Sequence, residues 1–213
     1  MDESRAVADG GTGTGDTPAP VGGTDRRDPG GPRRTLIALL VGVALLVLVV
    51  DQVSKYLVVR DLQPDETVSV ISGVLRLHLI RNPGAAFSMA TGMTWIFTVI
   101  AIAVSVLIAR ISARLGSRWW ALALGLLLGG AIGNLTDRLF REPGFARGHV
   151  VDFIEYQKFP FMDFPIFNVA DSCIVCSAVL IALLGLRGIG LDGSRLTDRP
   201  AGGTTPGPDR ADG

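Results

Sequence analysis

Histidine and cysteine are nearly absent from this 213-residue chain. His78 and His149 are the only histidines, and Cys173 and Cys176 the only cysteines. The two histidines lack the spacing of a zinc motif, and the cysteines sit three apart inside an apolar run, where they read as small buried side chains rather than a disulfide or metal pair. No G-x-S-x-G elbow and no Walker loop occurs, so no metal and no cofactor is expected. Net charge is zero, with 20 basic and 20 acidic residues, so no global field points to nucleic acid as a partner. Lysine is scarce as well, with Lys55 and Lys158 alone against eighteen arginines.

Apolar residues are abundant: 48% of the side chains are hydrophobic and mean hydropathy is +0.40, too apolar for an ordinary soluble domain. Four long apolar stretches, near 35–50, 94–109, 119–133 and 172–186, each approach the roughly 20 residues that cross about 30 Å of hydrocarbon. Arg33 and Arg34 before the first give it the look of a signal peptide. Asp51-Gln52-Val53-Ser54-Lys55 follows with no small-x-small cleavage site, so the helix is expected to be retained. None of the four interiors contains Asp, Glu, Lys, Arg or His, which speaks against a transporter or proton relay with ionisable groups at the midplane.

Residues 1–34 hold eight Gly and four Pro, and 192–213 share that character, so both read as disordered cytoplasmic tails around a membrane domain at 35–191. With four spans, the tails and the middle loop share one side. That side carries 12 of the 20 Lys and Arg residues, including Arg110, Arg114 and Arg118 in one short loop, and is therefore expected to be cytoplasmic. Residues 51–93 and 134–171 then lie outside, where the alternation of Leu75-Arg76-Leu77-His78-Leu79 predicts a strand of a small β element on the membrane surface. The expected fold is an all-α membrane protein of four transmembrane helices with a small extracytoplasmic β element and both termini cytoplasmic.

Five polar blocks fall at the outer ends of helices or in the outer loops. Asp51 and Lys55, spaced i, i+4, fit an ion pair bracing the end of the first helix. Ser54 beside Lys55 is rejected as a nucleophile, because neighbours on a helix do not face each other. Asp137 fits a scaffold carboxylate held ionised by a basic neighbour. Arg138 suits either substrate contact, through a backbone carbonyl or lipid head group, or a structural bond. Asn168 and Asp171 match an N-cap with an acid at N3. Asp152, in the apolar run Val150-Val151-Asp152-Phe153-Ile154, is poorly solvated, and brought beside Asp171 it would share a proton. Two such carboxylates can act as an aspartic peptidase dyad or simply brace helix ends; a non-enzymatic transporter or scaffold is the rival class.

At these blocks the chain resembles the lipoprotein signal peptidase family, signal peptidase II, over about residues 35–187. The resemblance rests on D-Q-V-S-K at 51–55, N-P-G-A-A-F-S at 82–88, G-G-A-I-G-N-L-T-D-R-L at 129–139, V-V-D at 150–152 and F-N-V-A-D-S at 167–172. It implies that Asp152 and Asp171 are the catalytic dyad. It also implies that Asn82, Gly84, Asn134, Arg138 and Asn168 bind substrate or shape the pocket, while Asp51, Lys55 and Asp137 give structural support. The implied partners are lipid-modified prolipoprotein signal peptides and membrane lipids, cut before the diacylglyceryl-bearing cysteine. The implied place is the bacterial plasma membrane, with the site at its extracytoplasmic face.

Overall fold

A computed structural model describes residues 31–64, 66–84, 94–157 and 164–195. Residues 1–30 and 196–213, most of the two expected tails, lie outside the described residues, as do 85–88 of the Asn82 block. Four long apolar helices dominate: α1 (Gly31–Asp61), α2 (Thr94–Ile111), α3 (Arg118–Phe140) and α4 (Val169–Leu186). All four are long and apolar enough to cross a membrane. A short 3₁₀ turn, Ser112–Arg114, links α2 to α3.

α3 is the central helix and the most buried of the four. Its lower hydropathy, 1.4 against 2.3 to 2.7 for the others, follows from that place, because it meets other helices rather than lipid. Two glycines decide how close they come. A Cβ on Gly129 would lie 2.7 Å from the Ala44 carbonyl oxygen of α1, and one on Gly130 would lie 2.6 Å from the Ala170 carbonyl oxygen of α4. At the end of the bundle that holds the α2–α3 link, Leu40, Ile108, Leu115, Ala121 and Leu124 form an apolar core.

α1 runs for 31 residues, about 46 Å. It runs eleven residues past the apolar stretch that ends near residue 50, through Asp51 and Lys55, both fully buried. Its last turns carry Val58, which packs with Leu79, Val151 and Phe153 beneath an antiparallel sheet. The sheet has the order β1 (Thr67–Ile71), β2 (Leu75–Asn82), β3 (Val150–Tyr156). The expected strand at Leu75–Leu79 is thus present. Asp152 lies not in an irregular outer loop but on a strand, β3, which the sequence pattern does not reveal. Its register sets Asp152 opposite Ile80 and Val150 opposite Asn82. Arg76 and Glu155 form a cross-strand ion pair on the same sheet, with His78 Nδ1 3.1 Å from Glu155 Oε2.

Two smaller expectations also shift. Cys176 is exposed and Cys173 half-buried on α4, because that helix is apolar on every side and turns much of its surface to hydrocarbon. Residues 189–195 fold back as a turn, with Gly116 N donating to Leu191 O and Trp120 Nε1 to Ile189 O, both at 2.9 Å.

Candidate active site

The polar blocks converge where the C-terminal half of α1, the last two turns of α3, the start of α4 and strands β2 and β3 meet. Asn168 is the N-cap of α4, and a full capping box forms: its side chain accepts from Asp171 N (2.9 Å), and the Asp171 carboxylate accepts from Asn168 N (3.2 Å). The expected cap is therefore present. The same side chain reaches across to β3, where Asn168 Nδ2 donates to Asp152 Oδ1 at 2.7 Å. One fully buried side-chain amide thus links the Asp152 carboxylate to the backbone of Asp171, whose own carboxylate is held by the Asn168 backbone amide.

Each carboxylate has a second amide donor. Asn82 Nδ2 donates to Asp152 Oδ2 (2.8 Å), and Asn134 Nδ2 donates to Asp171 Oδ1 (2.7 Å). Asn82 Oδ1 in turn accepts from Gly84 N (2.8 Å), an Asx turn that fixes the amide. Gly84 has φ of +96°, which favours glycine, and a Cβ there would strike the Phe97 ring at 2.8 Å. Burial pushes the Asp152 carboxyl up to about 6; the Asn82 and Asn168 bonds oppose that shift, and the nearby Asp171 charge adds to it.

Behind the pair lies a buried ionic cluster. Lys55 Nζ contacts Asp51 Oδ2 at 2.8 Å and Asp137 Oδ2 at 2.9 Å, and donates to Asn134 Oδ1 at 3.1 Å. The expected i, i+4 pair forms, though well inside the helix rather than at its end, and Asp137 does have basic partners, Lys55 and Arg141, the latter at 2.6 Å. Arg138 donates to the Asn134 carbonyl (3.4 Å) and lies 5.3 Å over the Phe97 ring, while its buried Nε has no partner among the described residues. Ser54 Oγ is bound to the Asp51 carbonyl of its own helix.

Three members went unnoticed in the sequence. Arg141 follows Asp137 by four residues, a spacing that was there to be read. Gln52, whose Nε2 lies within 3.3 Å of Asp51, Gly133 and Asp137 oxygens, and Phe97, which backs Gly84 and Arg138, carry no signal of their own.

Membrane-length helices and a small sheet that bring two carboxylates into one polar cluster, one of them well away from its ordinary ionisation range, have the makings of a membrane hydrolase of the aspartic type. Residues 43–187 match the family model described as signal peptidase (SPase) II, and the chain belongs to that peptidase family. The lipoprotein signal peptidase of Rhodococcus jostii is 50% identical over 163 residues, covering 76% of this chain and 78% of that one. That of Streptomyces coelicolor is 51% identical over 164 residues, covering 77% of each. A solved bacterial membrane enzyme is 31% identical with a TM-score of 0.63, covering 71% of this chain and 94% of that one.

Proposed function

We propose that this protein removes signal peptides from diacylglyceryl-modified prolipoproteins, cutting before the lipidated cysteine with Asp152 and Asp171 as the dyad. The observation that carries the reading is Asn168, whose side chain bonds the Asp152 carboxylate and whose backbone amide bonds the Asp171 carboxylate, so that one residue keeps both in one site. Asp152, the group pushed up to about 6, keeps the shared proton, and Asp171 serves as base. Asp171 takes a proton from water as the water oxygen attacks the scissile carbonyl carbon, and the Asp152 proton passes to the carbonyl oxygen. In the collapse of the resulting diol the C–N bond breaks, the proton on Asp171 moves to the leaving amine, and one diol hydroxyl returns a proton to Asp152.

The buried Nε of Arg138, without a partner among the described residues, supports a substrate contact from that side chain. Asn134 and Asn168 shape the pocket, their amides being committed to the two carboxylates. Exposed Arg110, Arg114 and Arg118 at the α2–α3 link favour a cytoplasmic position for that end and hence an extracytoplasmic site in the plasma membrane. A lipid-bearing cysteine anchored in the outer leaflet would meet the dyad at its own depth. The test is mass analysis of products from matched substrates with and without the diacylglyceryl group. A single cut before the modified cysteine, and none in the unmodified peptide, is expected; cleavage elsewhere or of both alike would overturn the assignment.

A further inference from the structure

We propose that Lys55 is a positioning residue that sets both carboxylates of the dyad, a reading that rests on the assignment of Asp152 and Asp171. The ammonium has three protons and meets three acceptors, Asp51 Oδ2, Asp137 Oδ2 and Asn134 Oδ1, at 2.8 to 3.1 Å, with no exposure to solvent. Each acceptor then continues to the dyad. Asp51 Oδ1 accepts from the Ala170 amide at 3.0 Å, and Ala170 is the residue before Asp171. Asp137 Oδ2 accepts from the Val151 amide at 3.2 Å, and Val151 is the residue before Asp152. Asn134 turns its oxygen to Lys55 and its Nδ2 to Asp171 Oδ1 at 2.7 Å.

The third route depends on polarity. A carboxamide can be turned over at little steric cost, and a reversed Asn134 would set its oxygen against Asp171. An ammonium can only donate, so Lys55 fixes the oxygen on its own side and leaves the N–H for the carboxylate. Asn168 Nδ2 reinforces this from 3.1 Å while bonded more closely to Asp152. Bracing alone does not explain the cluster, because a well-packed apolar side chain joins helices as well as or better than buried ions do. What an apolar residue cannot do is hold two peptide amides and one carboxamide at once.

The charged groups around the ammonium and the dyad are Asp51 on α1, Asp137, Arg138 and Arg141 on α3, Asp152 on β3 and Asp171 on α4. Lys55 is among the influences that lower the Asp152 value, so its removal moves that group further up. A brace and a positioning device therefore part company in the double variant Lys55→Met/Asp51→Asn, which removes one charge of each sign and leaves Asp137 with Arg141. Cleavage of a diacylglyceryl-modified prolipoprotein is followed across pH, with thermal unfolding in the same detergent. Positioning predicts a kcat about 100-fold below wild type with KM within about threefold, an alkaline limb displaced upward, and a melting midpoint near that of wild type. A kcat per folded molecule within about threefold of wild type, with the limb unmoved, overturns the proposal. Should the double variant not fold, the isosteric Asp51→Asn alone decides, with about a tenfold loss of kcat at unchanged KM expected and no loss contradicting it. Asp152→Asn and Asp171→Asn are run alongside. Activity in either removes the dyad assignment and this proposal with it, whereas inactive dyad variants beside a fully active Lys55 variant overturn this proposal alone.

Discussion

Replacing Asn82 with leucine is expected to move the pH dependence of cleavage upward. Asn82 Nδ2 donates to Asp152 Oδ2 at 2.8 Å, and Asp152 is only 2% exposed, so little water competes for the bond. A hydrogen bond to a charged acceptor contributes about 1.5–3 kcal/mol, and 1.36 kcal/mol corresponds to one pH unit, so its loss corresponds to a shift of about 1–2 units. The sign follows from which form the bond favours. Asn82 stabilises the ionised carboxylate, so without it Asp152 keeps its proton to higher pH. Because the proposed active form has Asp152 protonated, the alkaline limb of kcat/KM moves up. Leucine is chosen over alanine because its volume keeps water from replacing the lost donor. The assay is cleavage of a lipidated substrate in detergent at constant ionic strength, over a pH range in which the variant stays folded. A limb that stays in place or moves down would refute the link between Asn82, Asp152 and the proton.

Three further outcomes are expected. Gly133→Ala places a Cβ 2.6 Å from Asp51 Oδ2 and 3.3 Å from Ala170 Cβ, so the carboxylate must leave Lys55 or α4 must shift; a loss of about 1–3 kcal/mol by thermal melting is expected, against about 0.5 or less for Gly42→Ala, which meets nothing within 4 Å. Asn168→Ala removes the α4 cap, about 1 kcal/mol of stability, and also the donor to Asp152, so activity is expected to fall further than the melting midpoint implies. The Arg76 bond holds Glu155 below its ordinary value, and this contributes stability above that value that is lost as pH falls through the lowered one; the deficit of Arg76→Met, about 0.5–1 kcal/mol near neutral pH, should therefore disappear in acid melts.

The four spans were legible because hydrocarbon selects long apolar runs whatever lies around them. Their ends were less so. A charge reads as an exit from the membrane, yet Lys55 and Arg141 together balance Asp51 and Asp137 inside the protein, so α1 passes them with its charges buried. Strand β3 escaped for another reason: Val150–Tyr156 becomes a strand by pairing with Leu75–Asn82, about seventy residues away, and no local pattern records that. At the site, the i, i+4 ion pair and the capping box could be read because both are local in sequence. The tie from Asn168 to Asp152, and the amides of Val151 and Ala170 held by Asp137 and Asp51, could not, because they join segments that only the fold brings together.

The central claim is that Asp152 and Asp171 jointly activate water, and the most direct measurement is cleavage of a diacylglyceryl-modified prolipoprotein by Asp152→Asn and Asp171→Asn, each verified as folded. Both substitutions keep the shape of the side chain and remove its proton chemistry. The account predicts that wild type cuts before the lipidated cysteine and that each variant alone falls by at least about 1,000-fold, because neither half of the pair works without the other. Wild-type rates in either folded variant would contradict it.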